Sequence, residues 1–463
     1  TAGRGPGARG AALVAAIALT ALAGCADLAD RLATPPPADG AGTVPAVVDD
    51  RGALPSKEAE ALLATVRREG GGDRVARHLA AMARDGGPPL VAGNATRLLV
   101  DGPETHRAMF DAIAKARRHV HLETYILEGD ETGRRLADLL VERSRRGVQV
   151  SVMYDAVGGL RTPAEYFDRL REAGVAVCEF NPVSPTAGRK VALNHRDHRK
   201  ILVVDGRVAY TGGINISDVY ASGSASARRR AERGAGWRDT HLEVRGPAVA
   251  AMQRLFLDSW ARQDCGTRPD ADFFPRLGRE GDRVLRVLAS SPDLPGNPIR
   301  DALLSAMAGA ERSIHVTMAY FVPDPGTLQV LEAAARRGVD VQLVLPGFSD
   351  FWAVHAAGRA RYGRLLEAGV RIHERRDALL HAKTVVVDGV WSTVGSANMD
   401  FRSFLHNDEV GVVVLGEGFG REMERLFAED VDRSVPVTLD AWRRRGLGER
   451  AKEAVATTLE YWL

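Results

Sequence analysis

The sequence predicts an α/β fold of two tandem lobes, each a mainly parallel sheet flanked by helices. Helical and strand-like stretches alternate along the chain, which is typical of βαβ units. The order helix, strand, helix, strand occurs in residues 112–154 and again in residues 306–345, so the second half repeats the plan of the first. The chain has 463 residues, enough for two or three domains with large buried cores.

Five segments follow from this repeat and from changes in composition. They are a signal peptide over residues 1–25, a linker and helical leader over 26–89, a first lobe over 90–270, a second lobe over 271–435, and a C-terminal amphipathic segment over 436–463. Within the leader, residues 56–85 have the spacing and charge of one or two helices. Because the lobes are duplicates, a site at their interface could use each copy once.

The N-terminus has the anatomy of an export signal. Arg4 and Arg9 precede a short apolar stretch from Ala11 to Ala23. This stretch ends in Leu22-Ala23-Gly24-Cys25, which resembles a bacterial lipobox whose cysteine is lipidated after cleavage. We therefore expect an exported, membrane-associated protein of the bacterial cell envelope, lipidated at Cys25. The alternatives are ordinary cleavage that leaves Cys25 as a bystander, an uncleaved anchor, and a cytoplasmic protein.

The composition excludes several classes of protein. With 45% apolar and 26% charged residues, the chain is neither disordered, collagen-like nor a coiled coil. The net charge of +2 argues against a strongly basic nucleic-acid coat, so no nucleic-acid partner is expected. The three cysteines are too few and too scattered for a disulfide scaffold or a four-ligand zinc site. The sequence carries no signal for an oligomeric state.

The strongest chemical signal is a motif that occurs late in each lobe. The first copy contains His198, Lys200, Asp205, Gly213 and Asn215, and the second contains His381, Lys383, Asp388, Ser396 and Asn398. With 12 His and six Lys in the chain, chance predicts about 0.16 His-x-Lys pairs. Two pairs with matched downstream spacing therefore indicate a functional motif, although a single pair would more simply be a strand edge facing solvent.

The spacing of this motif suits phosphoryl transfer. Residues two apart on a strand share a face, so each histidine and its lysine point the same way. Asp205 and Asp388 begin Asp-Gly turns that bring the glycine-rich bend and its asparagine back beside the histidine. One imidazole could attack phosphorus while the other protonates the leaving oxygen. The lysines and asparagines would hold the non-bridging oxygens, and we expect the bend residues Gly213 and Ser396 to contact substrate.

Other histidines and cysteines have simpler explanations. His119, His121 and His195 lack partners at ligand spacing, so we expect strand packing and no metal. No cofactor is implied. Cys178 lies in a strand-like stretch and is interpreted as a core residue, while a disulfide with Cys265 after export is an open alternative.

The paired motifs resemble those of the phospholipase D superfamily. The flanking text is similar to that of its bacterial cardiolipin synthases, and the resemblance covers roughly residues 90–463. Matching stretches are Tyr154–Gly158, Thr211–Asn215, Trp237–His241, Tyr320–Asp324, Leu345–Gly347 and Gly395–Ser403. The resemblance implies two phospholipase D-like lobes with one active site at their interface and no metal in the chemistry.

The resemblance also implies roles for individual residues. One motif histidine becomes a phosphohistidine and the other acts as acid and then base; the family's habit favours His198 as the nucleophile, although the two copies are equivalent by pattern. Asp239 and Glu409 match the acidic residues that hydrogen-bond each histidine, set its tautomer and favour its protonated form. A surface carboxylate is the alternative for either acid.

The implied function is a cardiolipin synthase-type phosphatidyltransferase that acts on phosphatidylglycerol. A phospholipase D-type hydrolase, acting on lipid or nucleic acid, is the alternative on the same site, and a non-catalytic envelope scaffold is the alternative from another class.

The C-terminal stretch from Trp442 onward mixes aromatic, apolar and cationic residues, which suits either a helix at the membrane surface or packing against the protein. Arg228–Arg230 are interpreted as a solvated loop or as a contact for lipid phosphates.

Overall fold

The computed structural model describes residues 44–183, 194–224, 236–266 and 272–462. The predicted signal peptide with Cys25, and the basic stretch 228–230, lie outside these residues.

The described chain contains strands and helices in the following order. The strands are β1 (Val47–Asp49), β2 (Gly52–Ala53), β3 (Leu90–Val100), β4 (His119–Thr124), β5 (Gln149–Asp155), β6 (Ala176–Phe180), β7 (Arg196–Asp197), β8 (Ile201–Val204), β9 (Val208–Gly212), β10 (Trp237–Arg238), β11 (Thr240–Arg245), β12 (Arg283–Ser290), β13 (Ser313–Met318), β14 (Asp340–Pro346), β15 (Arg371–Arg375), β16 (Leu379–Leu380), β17 (Lys383–Val387), β18 (Trp391–Gly395), β19 (Asn407–Leu415) and β20 (Ser434–Val437).

The helices lie between these strands and cover their faces. They are α1 (Ser56–Gly70), α2 (Asp73–Arg84), α3 (Asp101–Ala114), α4 (Glu131–Arg145), α5 (Ala164–Glu172), α6 (Val249–Arg262), α7 (Pro298–Ala308), α8 (Pro325–Arg336), α9 (Trp352–Arg359), α10 (Tyr362–Glu367), α11 (Phe401–Leu405), α12 (Glu417–Asp432), α13 (Leu439–Arg443) and α14 (Leu447–Thr457). Short 3₁₀ turns occupy Asp218–Tyr220 and Glu460–Trp462.

The two lobes have the same strand order, which confirms the predicted pair of tandem α/β lobes. Lobe 1 runs β6-β5-β4-β8-β9-β11-β3, and lobe 2 runs β15-β14-β13-β17-β18-β19-β12. Antiparallel pairing of β3 with β12 joins the lobes into one continuous sheet. Each sheet is mixed: its first three strands are parallel and the remaining pairs are antiparallel.

The sheets are mixed and not mainly parallel as predicted, and tight Asp-Gly turns account for the antiparallel pairs β8–β9 and β17–β18. Asp205 and Gly206 both have positive φ, as do Asp388 and Gly389, which is the geometry of a two-residue hairpin turn. Each aspartate carboxylate also accepts backbone N–H groups from the start of a neighbouring strand, at residues 117–119 in lobe 1 and 311–313 in lobe 2. These turns return the chain directly beside itself, so the following strand is antiparallel.

The helices outside the lobes pack on lobe 2, whereas β1 of the leader pairs with β3 of lobe 1. Apolar residues of α1 and α2, including Leu63 and Val75, belong to the same core cluster as the strands of lobe 2. At the C-terminus Trp442 is buried against Tyr362, their rings 5.0 Å apart. The part of the C-terminal segment around Trp442 therefore packs against the protein. Across the described ranges, no helix combines the length and the apolar character that crossing a bilayer requires.

Two open points of the sequence are answered in lobe 1. Cys178 and Cys265 form a disulfide with Cα atoms 5.6 Å apart. His119 and His121 are buried and share the side chain of Gln253, with ring nitrogens 3.1 and 2.7 Å from its amide atoms. These two histidines are therefore packed and hydrogen-bonded inside the core. Within the described part of the chain, no group of three or more potential ligands is arranged to hold a metal ion.

Candidate active site

Each motif histidine lies where the chain crosses from one lobe to the other. Strand β7 pairs with the start of β19 in lobe 2, and β16 pairs with β10 in lobe 1. Directly after these pairs, the backbone N–H of His198 donates to Asp408 O at 2.9 Å, and that of His381 donates to Arg238 O at 2.8 Å. The chain then returns to its own lobe in β8 or β17. His198 and His381 thus lie in extended links between strands and not within a strand as predicted, because the strand changes partners there.

This crossing places each histidine on a carboxylate of the opposite lobe. His198 Nδ1 lies 3.0 Å from both carboxylate oxygens of Glu409, and His381 Nδ1 lies 2.7 Å from Asp239 Oδ2. Both acids are fully buried. A carboxylate only accepts hydrogen bonds, so it holds the proton on Nδ1 and leaves Nε2 as the nitrogen available for chemistry. Each lobe therefore supplies the carboxylate that contacts Nδ1 of the other lobe's histidine.

Burial decides the protonation states of these pairs. It lowers the pKa of His198 to about 4, although the Glu409 carboxylate favours the protonated ring as expected. Burial and the ammonium of Lys383 likewise lower the pKa of His381, although Asp239 acts in the opposite direction. Burial alone would raise the pKa of Glu409, but His198, Lys200 and the Ser396 hydroxyl together lower it to about 2. Each acid thus favours its protonated histidine, but burial outweighs that effect, and at neutral pH the rings are neutral.

The motif lysines bring positive charge to the same place. Each ammonium donates to the backbone carbonyl of its own histidine, Lys200 at 2.7 Å and Lys383 in the equivalent contact. Burial lowers the pKa of Lys200 to about 7 and that of Lys383 to about 8. The Lys383 charge also lowers the pKa of Lys200, because the two positive charges repel each other. An anion placed between the ammonium groups would relieve this repulsion.

The motif asparagines hold the polypeptide around the site. Asn215 Oδ1 accepts the backbone N–H of Ile126 at 3.1 Å, and Asn398 Oδ1 accepts that of Tyr320 at 3.4 Å. Asn215 Nδ2 also donates to the hydroxyl of Tyr220 at 2.9 Å. The two amide oxygens thus fix the loops that follow β4 and β13. The expected contact of the asparagines with phosphate oxygens stays a prediction.

The two bend residues, Gly213 and Ser396, lie against the acids, and their expected contact with substrate stays a prediction. Ser396 is buried, and its hydroxyl donates to Glu409 and accepts the backbone N–H of Val410 at 3.0 Å. At Gly213, a Cβ atom would overlap both carboxylate oxygens of Asp239. The hydroxyl in lobe 2 and the missing side chain in lobe 1 therefore serve one purpose, which is to position the acid beneath the opposite histidine.

Replacing Gly213 with alanine tests this packing. The added methyl group must displace the Asp239 carboxylate from His381, and we expect kcat to fall about 10- to 100-fold. The matched control is Gly278→Ala, at a position where an added Cβ meets nothing within 4 Å and the backbone is not left-handed. Steady-state kinetics of both variants measure the effect. Equal kcat for the two variants would show that Asp239 tolerates the displacement.

Aromatic side chains that the sequence analysis missed surround the histidines. The Tyr125 ring lies 5.2 Å from the His198 ring, with the Lys200 ammonium 5.4 Å from the centre of the tyrosine ring. Tyr320 and Trp237 lie 6.2 and 5.1 Å from His381. Tyr125 and Tyr320 follow the equivalent strands β4 and β13, at the edge where the motifs lie. Alignment of the two internal repeats could have drawn attention to these positions.

A buried arginine also distinguishes the two copies. Arg199, between His198 and Lys200, donates to the backbone carbonyl of Glu409 at 3.1 Å and to Ser259 Oγ at 2.9 Å. The equivalent position in lobe 2 is Ala382, within a small apolar cluster. Arg199 therefore links the backbone of Glu409 to lobe 1. In lobe 2, the residue that follows His381 is part of an apolar cluster instead.

Comparison with known proteins places this geometry in a family. The family model described as "Cardiolipin synthase, PLD-like domain" matches residues 109–225 and 303–431. The chain is 36% identical over 379 residues to a cardiolipin synthase of Geobacillus sp. (strain WCH70), an alignment covering 81% of this chain and 74% of that protein. It is 33% identical over 379 residues to cardiolipin synthase 1 of Bacillus cereus, covering 80% and 72% of the two chains.

A solved structure shares the fold. The crystal structure of phosphatidylserine synthase from Haemophilus influenzae Rd KW20 superposes with a TM-score of 0.63 at 13% sequence identity, covering 84% of this chain and all of that one. At this identity the likeness concerns the arrangement of the two lobes alone.

Proposed function

Because this chain belongs to the cardiolipin synthase family of the phospholipase D superfamily and is a phosphatidyltransferase, we propose that it makes cardiolipin from two molecules of phosphatidylglycerol. The observation that carries the proposal is the reciprocal pairing of His198 with Glu409 and of His381 with Asp239 across the lobe interface. It provides two imidazoles with available Nε2 atoms and two lysines beside one space, which suits a phosphodiester anion.

In the first half-reaction, Nε2 of one histidine attacks the phosphorus of phosphatidylglycerol. A P–N bond forms, the P–O bond to the headgroup glycerol breaks, and the other histidine donates a proton to the departing oxygen. That second ring must be protonated, although both are neutral in the unliganded site. The bound phosphodiester supplies a negative charge next to the rings, which raises the imidazole pKa and allows one ring to take up a proton.

In the second half-reaction, the histidine that gave up its proton acts as a base. It removes a proton from a free glycerol hydroxyl of a second phosphatidylglycerol, and the hydroxyl oxygen attacks the phosphohistidine. The P–N bond breaks and cardiolipin leaves with both histidines restored. Lys200 and Lys383 stabilise the negative charge that develops on the non-bridging oxygens in both steps.

We also propose that the protein acts outside the cytoplasm, attached through Cys25 to a membrane of the bacterial cell envelope. The disulfide between Cys178 and Cys265 supports this location, because disulfides form and persist in oxidising compartments. A lipid substrate in the same membrane agrees with it.

Product analysis tests the proposed reaction. Purified protein is incubated with vesicles of phosphatidylglycerol, and the products are identified by mass. We expect one cardiolipin and one glycerol for every two molecules of phosphatidylglycerol consumed. Phosphatidic acid as the main product would contradict the transferase and favour the hydrolase, in which water resolves the phosphohistidine.

A further inference from the structure

Two loops related by the internal repeat carry exposed apolar side chains at their tips. Leu160 follows the end of β5 by five residues and is 67% exposed, and Phe351 follows the end of β14 by the same interval and is 46% exposed. Trp352, next to Phe351, is 59% exposed. Single exposed apolar residues are common on protein surfaces. Large apolar side chains at equivalent positions of both lobes indicate a surface that meets an apolar partner.

Each loop is attached to the site through a tyrosine. In lobe 1, a Cβ at Gly158 would overlap the carbonyl oxygen of Tyr125, so the loop packs directly on the residue whose ring contacts His198. In lobe 2, the Tyr320 hydroxyl donates to Asp350 Oδ1 at 2.8 Å, and the Tyr320 ring lies beside His381. The two tips therefore flank the site, one from each lobe.

The strand ends also place the loops and the motif histidines at the same edge of the sheet. The last residue of β5, Asp155, accepts the backbone N–H of Asp197 at 2.9 Å, and Asp197 directly precedes His198. The carboxyl ends of the parallel strands, the two loops and the motif histidines thus share one edge, which is where ligands bind in sheets of this kind.

The chemistry of the tips matches a lipid surface. Tryptophan is enriched where protein meets the headgroup layer of a bilayer, and leucine and phenylalanine gain free energy from entering its apolar boundary. An exposed Arg161 follows Leu160. This cation beside the tip of the lobe 1 loop suits the negative charge of phosphatidylglycerol headgroups.

We propose that the loops 156–162 and 347–352 form a bilayer-docking surface that sets the site at headgroup level on membranes containing phosphatidylglycerol. This inference rests on the proposed function in one respect, since it takes the substrate to be a lipid still embedded in its bilayer. The surface continues onto the C-terminal helix: α14 packs on α9 through Ala456 and Ala353, and its neighbouring Val455 is exposed.

Vesicle binding by loop variants tests the surface directly. We expect Trp352→Ser to weaken binding to phosphatidylglycerol vesicles about tenfold, and the combined replacement of Leu160, Phe351 and Trp352 by serine to weaken it about 100-fold or more. The matched control is Phe274→Ser, an aromatic residue of similar exposure (42%). Phe274 lies at the opposite edge, since its neighbours Phe273 and Pro275 pack on the β8–β9 turn at Gly206. Co-sedimentation measures the affinity, and quenching of Trp352 fluorescence by spin-labelled lipid reports insertion.

Unchanged vesicle binding by the triple variant, with an unaltered unfolding temperature, would overturn the proposal. So would a change in self-association without a change in vesicle binding, because the surface would then be an interface between copies of the chain. Because vesicle binding is measured without turnover, it tests the docking surface independently of the proposed cardiolipin synthesis. Wild-type protein that binds vesicles through these loops but forms no cardiolipin would contradict the function alone.

Discussion

Replacing either His198 or His381 with alanine is expected to reduce the rate of cardiolipin formation by at least about 10⁴-fold. Each half-reaction needs one imidazole bonded to phosphorus and the other transferring a proton, so neither histidine can act alone. For the same reason, the double variant should be little slower than either single variant. Initial rates of cardiolipin formation from phosphatidylglycerol, measured for all three variants, check the prediction.

A histidine away from the site provides the control. His373 lies in β15, where its ring nitrogen contacts Gln342 Oε1 at 3.2 Å. We expect His373→Ala to keep the wild-type rate within about twofold. A site variant that keeps most of its activity, or multiplicative losses in the double variant, would contradict a single site shared by the two lobes.

Converting the acids to amides is expected to reduce the rate by about 10³- to 10⁴-fold, by analogy with the aspartate of a Ser-His-Asp triad. Glu409→Gln and Asp239→Asn preserve shape, but an amide can present N–H groups to Nδ1 and so stabilise the wrong tautomer. The proton then resides on Nε2, where the lone pair is needed for attack. Because each acid serves the histidine of the opposite lobe, the two amide variants should lose activity to a similar extent.

The control for the acids is another carboxylate of the same region. Glu243 lies in β11 close to Asp239, but its oxygens pair with two exposed arginines, Arg97 and Arg245, and not with a motif histidine. We expect Glu243→Gln to retain nearly the wild-type rate, because its pairs are half-exposed and take no part in the site. Rates for Glu409→Gln or Asp239→Asn close to that of this control would show that the acids do not set the tautomer.

Much of the fold and the site could be predicted because the signals are local and occur twice. The Asp-Gly dipeptides at 205 and 388 specify a left-handed turn through their own chemistry, and the matched His-x-Lys pairs are rare by composition. The helices of the leader have clear amphipathic spacing. Each of these features depends on a few neighbouring residues, and repetition in the second lobe removes the ambiguity of a single occurrence.

The remainder depends on contacts between the lobes, which leave no periodic pattern. Strands β7, β10 and β16 have two residues each, too few to show alternation, although they carry the chain across the interface. Without that crossing, the motif predicts a histidine within a strand. The protonation state also depends on burial from all sides, which outweighs the one carboxylate that the sequence identifies beside each histidine.

The difference between Gly213 and Ser396 illustrates the same limit of sequence patterns. Both occupy the bend of the motif, and chemistry alone suggested substrate contact for both. The Asp239 carboxylate lies so close to Gly213 that no side chain fits there. Glu409 leaves room for the Ser396 side chain and accepts a hydrogen bond from its hydroxyl.

The measurement that tests the central claim most directly is the mass of the trapped intermediate. Protein mixed with phosphatidylglycerol is quenched rapidly under alkaline conditions that preserve phosphohistidine, digested and analysed by mass spectrometry. The predicted result is a phosphatidyl group on the peptide containing His198 or on the one containing His381, lost when that histidine is replaced by alanine. Rapid cardiolipin formation with no adduct on either peptide, or with the adduct on another residue, would contradict the account.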